Sequence, residues 1–586
     1  MNYLLVSILS VAFLVIECLA GGTRLIYSLP VYGLLGIASL FTIFSLRGTK
    51  TTVRPACLVS TAVFFGYILV RCYLSPVEYL SRQDFFMVLG SLAVYLVTAL
   101  HLVKSRHRMI LLGVLMAIAL GQVAVGLVQF GRGNDFMLFG YGRSPGGNRA
   151  SGQYISPNHL AGYLEVVAII GVSLVFWGMS KPWVKILMAY TSIVAFAGVL
   201  ITGSRGGYAS SAFCIVFFCI TSIVVVKIAF PERFFRITAV ILAFMIMVSV
   251  LLPVVVTSQL VRSRAGSVFE KNMRLQLWQA AIPDIKLDPL FGTGSGTYLY
   301  YGRKFRDPEV QRDPVRVHND YLDLIAEYGI LGGVVFLIFF GIHIWNGVHT
   351  FRWLVVRRMQ FSLDWRSNSL ALNIGCMSAV AAYVVHSVVD FNLHIPANSM
   401  LMAFVFGVIA NPGLETFQAK RSAIILNRFF QFALPILGVA ILCAGMPKIP
   451  GEYYAEKARV ALRDKDFAIS VLNAKAGIAW EQKNPDLYYY LGEARRNLGD
   501  ALPEPMNVTF YRLASEAFKQ GLKLFPEDER FLLIEGWTLD ALGECGEAEK
   551  YYEQAMKWDP NSEQVQETYK THLKFLIDSG KIQQFQ

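Results

Sequence analysis

The chain has 586 residues, 55% of them hydrophobic and 16% charged, with a formal net charge of +12. That is too apolar for a soluble protein of this size. The apolar residues come in blocks of about twenty, long enough to cross a bilayer core of about 30 Å, so the composition predicts a polytopic membrane protein. The charge is uneven: from Gly451 onward 17 Lys and Arg face 23 Asp and Glu, against 36 and 18 in the rest of the chain. An acidic tail thus follows a basic membrane body. Membrane loops carry such a basic excess as a matter of course, so no nucleic-acid partner is inferred from it. The eight cysteines include no CxxC pair and no zinc-like Cys/His spacing, and neither a disulfide framework nor a metal site is expected.

The first apolar block, Tyr3 to Ala20, has no basic flank before it and no small-residue cleavage site, so it reads as a retained span. Thirteen spans are predicted, near 3–20, 25–45, 56–74, 85–103, 109–129, 158–178, 184–202, 208–229, 237–257, 329–348, 369–389, 398–411 and 429–446. Basic residues then fall on every second short loop, for example Lys104, Arg106 and Arg108, or Lys181 with Lys185. That places the N-terminus and these loops in the cytoplasm. The opposite face receives the loop 130–157, the turn Gly203–Gly207, the long loop 258–328, the turn 391–397 and the tail. The long loop carries ten Lys and Arg between Gln259 and Asp320.

The expected fold class is all-α: a multi-span membrane bundle over 1–448, then a small soluble helical domain over 449–586. In the tail, Pro526 and Pro560 are 34 residues apart, the tetratricopeptide period. Gly536, Ala548, Tyr552 and Ala555 sit where that repeat places its small and aromatic packing residues. An earlier copy runs from LGEARRNLGD (491–500) through Ala514 and Phe518. Such a tail is expected to be a scaffold or a partner-docking module.

Polar groups beside a bilayer are expensive and call for a reason. In SPGGNRASGQYISPNHLAGYLE (144–165), Asn158 either caps a helix or lines an external cavity together with Arg149. In LITGSRGGYASS (200–211), Arg205 either snorkels to headgroups or joins backbone N–H groups as an anion site. In 270–298, Arg274 and Trp278 share a helix face. The following DPLFGTGSGTY lacks the Lys-Ser/Thr of a phosphate loop and does not follow a strand, so no nucleotide site is expected. In VRVHNDYLDLIAEYGILGG (315–333), Asn319 or Asp320 can cap the helix that follows. His318 stands at its start, where the dipole favours the neutral imidazole a general base requires. VVDFNLHIPANS (388–399) adds Asp390 and His394 on the same face. Brought together, these segments would form a cationic cavity beside lipid, suited to an anionic lipid headgroup, for example a diphosphate.

Five of these stretches, R-A-S-G-Q-Y-I-S-P-N-H (149–159), T-G-S-R-G-G (202–207), R-L-Q-L-W (274–278), F-G-T-G-S-G-T-Y (291–298) and H-N-D-Y-L-D-L-I-A-E-Y-G-I-L-G (318–332), occur in one order. In this the chain resembles the O-antigen ligase/polymerase superfamily of bacterial membrane glycosyltransferases over roughly 110–410. It departs at Ser156-Pro157-Asn158, where that family often has Asn-Pro-Asn. The resemblance implies a GT-C-like bundle in the bacterial inner membrane, with the tail on the periplasmic side. It implies transfer of a glycan from a polyprenyl-diphosphate carrier to a hydroxyl on lipid A–core, on a protein or on another glycan, without metal, nucleotide or other cofactor and with inversion. By carry-over, Arg205 and Arg274 hold the diphosphate and His318 activates the acceptor. Arg149, Asn158, Asn319, Arg316, Asp390 and His394 are further candidates, as are Arg303, Arg306 and Arg312 for phosphate. Ligase, polymerase and protein-glycosylating versions share these motifs. A lipid-linked sugar transporter is the competing reading, and it would require mid-span charges and an internal repeat of spans.

Overall fold

The computed structural model describes residues 1–45, 52–132, 136–138, 149–235, 238–239, 273–313, 315–361, 363–413 and 421–578. The predicted span 237–257 and the first part of the long loop lie outside the described residues, as does Pro314. Each of the other twelve predicted spans falls on a helix. In chain order these are α1 (Asn2–Cys18), α2 (Leu25–Phe41), α3 (Pro55–Tyr73), α4 (Glu78–Leu100), α5 (Ser105–Arg132), α6 (Pro157–Trp177), α7 (Pro182–Thr202) and α8 (Arg205–Ala229). After the loop helices α9 (Met273–Ile285) and α10 (Tyr298–Phe305) come α11 (Asp320–Gln360), α12 (Asn368–His386), α13 (Pro396–Ala410) and α14 (Arg421–Gly445). Among the described residues, ten candidate spans are long and apolar enough to cross a membrane, while α1 and α13 are shorter apolar helices. Among the described residues there is no strand.

Helices that are apolar all round belong in the centre of a bundle. α4, α6 and α12 are of that kind, with 78%, 83% and 83% of their apolar windows buried, whereas α7 and α8 bury 33% and turn their remaining apolar surface outward. Small residues let the central helices approach closely. A Cβ on Gly171 of α6 would lie 2.2 Å from Ser192 Oγ of α7.

The predicted span 329–348 is part of a longer helix. α11 starts at Asp320 and breaks at Gly329 (φ 70°, ψ 179°) before running on to Gln360. A break exposes backbone groups that need partners. The loop stretch 289–294 supplies them: Thr293 and Gly294 donate to Ala326 O and Glu327 O (2.9 and 3.0 Å), and Ile330 and Leu331 donate to Pro289 O and Leu290 O (2.9 and 3.2 Å). A Cβ on Gly292 would lie 2.4 Å from the α11 backbone, and one on Gly329 2.2 Å from Leu290 O. The glycine-rich loop is therefore a plug seated in a broken helix, and the long loop is pinned to the bundle through it.

α14 passes through one 3-10 turn, Met446–Lys448, straight into α15 (Ile449–Arg463). Six more helices follow: α16 (Phe467–Trp480), α17 (Pro485–Asp500), α18 (Met506–Leu524), α19 (Glu529–Ala541), α20 (Cys545–Trp558) and α21 (Glu563–Asp578). Gly492 packs on Phe518 and Gly536 on Tyr552. The tail lies against the membrane part. Arg24 of α2 meets Glu456 at 2.6 Å and Arg82 of α4 meets Glu481 at 2.5 Å. From the long loop, Arg303 lies 3.5 Å from Asp528 and 2.8 Å from Asp313. Arg306 pairs with Asp559 and Glu529. Tyr300 packs on Trp558 with ring centroids 4.8 Å apart. Arg303 and Arg306, counted as phosphate candidates from sequence, instead clamp the loop to the tail.

Candidate functional site

The polar segments meet at one end of the bundle. Gln129 Oε1 of α5 accepts from Ser151 N and Gly152 N (2.8 and 3.0 Å), and Tyr154 Oη donates to Glu17 of α1 at 2.7 Å. The stretch 149–156 is laid across the bundle in this way and delivers Asn158 into the first turn of α6. Ser156 is the cap there, its side chain accepting from Asn158 N. Ser204 caps α8 by accepting from Gly207 N, and Asn319 caps α11 by accepting from Tyr321 N and Leu322 N (3.0 and 3.1 Å). Of the two predicted caps on α11, Asn319 is the one used. That role commits its side-chain oxygen.

Asp390 is the hub. It is buried, and Asn158 Nδ2 donates to its Oδ2 at 2.5 Å. Arg274 Nη2 of α9 reaches the same oxygen at 3.3 Å. Asn158 is held in turn by Arg149, which donates to its Oδ1 at 2.9 Å and to Thr202 O at 2.8 Å, beside the turn that carries Arg205. His318 Nδ1 lies 3.5 Å from Asp390 Oδ1, and His159 Nε2 lies 3.9 Å from the same oxygen. Both imidazoles stand edge-on to Phe391, with centroids 4.7 and 4.9 Å away. Burial by itself would push the Asp390 carboxyl up. The imidazoles of His318 and His159 and the guanidinium of Arg274 beside it overcome that and hold it well below the usual carboxylate range. Positive ends of α6, α8 and α11 all open at this end, which adds to its preference for anions.

Arg205 is the first residue of α8 and is exposed. Its neighbour Gly206 sits on the 386–389 turn, where a Cβ would lie 2.8 Å from Val389 and 3.1 Å from His386. His386 Nδ1 is paired with Glu165 at 2.9 Å in the interior. His318 has φ 58°, a left-handed backbone unusual for a residue with a side chain. That turn carries the ring out of the helix line toward Asp390. The His318 side chain keeps 29% of its surface exposed while Nδ1 itself is buried, so the open edge is the one away from Asp390.

Two sequence candidates go elsewhere. Arg316 Nη2 meets Asp84 Oδ1 at 2.9 Å and Nη1 meets Glu327 Oε2 at 3.0 Å, all three being largely buried. His394 Nδ1 meets Asp320 Oδ1 at 3.1 Å. Asp84, Glu327 and His394 could hold a metal by proximity alone, each offering a ligand atom within 4.8 Å of the others. The guanidinium of Arg316 already supplies positive charge to both carboxylates, so the cluster reads as structural. Asp320, Asp323 and Glu327 share a buried face of α11. Two residues escaped the sequence reading. His159 follows Asn158 in the same polar first turn, a signal that was available. Asp84 lies at the edge of an apolar block and gave none.

Asp284 of α9 is buried, and neither carboxylate oxygen has a hydrogen-bond partner among the described residues. Burial, followed by the charges of Glu327 and Asp323, pushes its carboxyl up to about 8. An unfolded Asp ionises near ~3.9. The stability it contributes is full below that pH and is lost as pH rises through the folded value. Asp284→Asn is therefore expected to raise the unfolding temperature more at pH 8 than at pH 5. Equal shifts at the two pH values would contradict the assignment.

Residues 190–337, about a quarter of the chain, match the family model described as O-antigen ligase. No curated protein matches the chain. The matched stretch holds Arg205, Arg274 and His318, and it supports a multi-pass membrane protein with a glycosyltransferase-like function at the level of that superfamily.

Proposed function

We propose that the protein is a metal-independent, inverting membrane glycosyltransferase. It moves a glycan from a polyprenyl-diphosphate carrier to an acceptor hydroxyl on the periplasmic face of a bacterial inner membrane. The observation that carries this reading is the convergence of His318, Arg274 and Asn158, the last held by Arg149, on the single carboxylate of Asp390. Asp390 faces Nδ1 of His318 and so favours the tautomer with its proton there, leaving the Nε2 lone pair for the acceptor O–H. As the acceptor oxygen bonds to the anomeric carbon, the bond from that carbon to the diphosphate oxygen breaks. The electron pair leaves with the polyprenyl diphosphate and the hydroxyl proton passes to His318. Arg274 and Arg205 stabilise the charge that grows on the departing diphosphate. One such displacement inverts the anomeric centre. Arg149 acts through Asn158 as a positioning residue.

The acceptor is lipid A–core in the ligase reading, with a growing polysaccharide or a protein hydroxyl as alternatives. The tail is read as a tetratricopeptide-like domain over 449–586 whose remaining surface docks envelope proteins. A transfer assay tests the proposal. Purified protein receives a polyprenyl-diphosphate oligosaccharide and a panel of the three acceptor classes, in EDTA. Transfer to one acceptor by the wild type, lost in Arg274→Ala, is the expected result. Binding of the carrier without transfer to any acceptor would favour the transporter reading.

A further inference from the structure

A second crevice lies at the opposite end of the bundle. α5 and α7 both run from it to the candidate site: Gln129 and Thr202 are at the site end, Ser105 and Pro182 at the other. The 28 residues of α5 separate the two by about 40 Å. The crevice has a volume of about 540 Å³, within the ~300–1,000 Å³ typical of ligand pockets. Met109, Met116 and Leu120 of α5 and Val184, Leu187 and Met188 of α7 form its apolar walls. Its mouth is polar, formed by Ser105, Arg106, Ser180 and Asn368. These groups are ordered by contacts of their own. Asn368 Nδ2 donates to Ser105 Oγ at 3.0 Å, and Asn368 Oδ1 accepts from Met179 N at 2.8 Å. The Arg106 guanidinium stands 5.5 Å from the Tyr3 ring.

Two features select an occupant. Ile110, Leu187 and Trp183 flank the crevice as exposed apolar side chains, so it opens sideways toward acyl chains. Arg106 lines the mouth itself, and Lys104, Lys181, Lys185 and Arg366 each stand within two residues of a lining residue, where the sequence has no Asp or Glu. In addition, the amino end of α5 opens at Ser105, which favours an anion there. Gly113 lines the cavity midway, and a Cβ there would meet nothing within 4 Å. A helix-interior glycine that costs about 1 kcal/mol relative to alanine and touches nothing leaves space that a ligand can fill.

We propose that this crevice binds an anionic glycerophospholipid, with its phosphate at Ser105, Arg106 and Asn368 and an acyl chain along the wall between α5 and α7. Basic pockets between membrane helices suit such headgroups. The site is independent of the transfer chemistry assigned to the other end.

The test is native mass spectrometry of the full-length protein in detergent, titrated with phosphatidylglycerol, phosphatidylcholine or inorganic phosphate. The expected result is saturable phosphatidylglycerol binding that phosphatidylcholine does not match and phosphate alone does not reproduce. Arg106→Gln is expected to weaken it about fivefold, the factor one basic side chain contributes near a headgroup. Gly113→Leu, whose Cβ has open space and whose side chain would occupy the cavity, is expected to remove it. Both variants should keep the lipid-free unfolding temperature, and Arg106→Gln remains informative if Gly113→Leu does not. Equal binding of the two lipids, binding reproduced by phosphate alone, or unchanged binding in Arg106→Gln would overturn the proposal.

Discussion

His318→Asn is expected to lower glycan transfer by about 10²–10⁴-fold, the range that a positioned general base contributes, with the unfolding temperature close to wild type. Asparagine is the chosen replacement because His318 has φ 58°, and asparagine tolerates that backbone better than alanine does. A loss seen only in His318→Ala would report strain and not chemistry. Asp390→Asn is expected to cost a comparable factor, since an amide facing Nδ1 no longer fixes the tautomer. It also removes a carboxylate bonded to Asn158 and Arg274, so its unfolding temperature should fall as well. The pair separates two roles. His318→Asn loses rate at constant stability, whereas Asp390→Asn loses both. Retention of more than a tenth of the activity in well-folded His318→Asn would leave His318 as a residue of the α11 start and nothing more.

Arg316→Met is expected to destabilise the protein by about 3–5 kcal/mol, the cost of leaving buried charge without its partner. Arg316 is 11% exposed, and it faces Asp84 and Glu327, which are 2% and 0% exposed. Asp84 also accepts from Ser295 at 2.9 Å, so the same pairing ties the glycine-rich plug to α4. The measurement is denaturant unfolding in detergent micelles. Adding Asp84→Asn and Glu327→Gln to Arg316→Met should recover a good part of the loss, because neutral amides need no counter-charge. A stable but inactive Arg316→Met would return Arg316 to the diphosphate site, the other role its sequence position allowed.

What the sequence determined by itself is whatever depends on neighbours along the chain. A bilayer requires about twenty apolar residues per span, so the blocks were legible without a partner in view, and each described block falls on a helix. The start of α11 was legible for the same reason. Asn319 satisfies the N–H groups of Tyr321 and Leu322, a bond that needs only the local turn. The break at Gly329 was not legible. It is stable because a loop some forty residues earlier supplies the missing backbone partners.

The site itself divides along the same line. Sequence could nominate arginines, but Arg274, Arg303, Arg306 and Arg316 are one residue type in one loop, and nothing local tells them apart. Tertiary structure does, by deciding which carboxylate each one meets. Arg303 and Arg306 meet acids of the tail and Arg316 meets Asp84 and Glu327, while Arg274 meets Asp390 with 28% of its side chain still exposed. Asp390 and His394 looked alike in one turn, yet the fold sends the first to His318 and the second to Asp320. A charge beside a bilayer has to be matched by another group close in space, and which group that is depends on contacts between residues far apart in the chain.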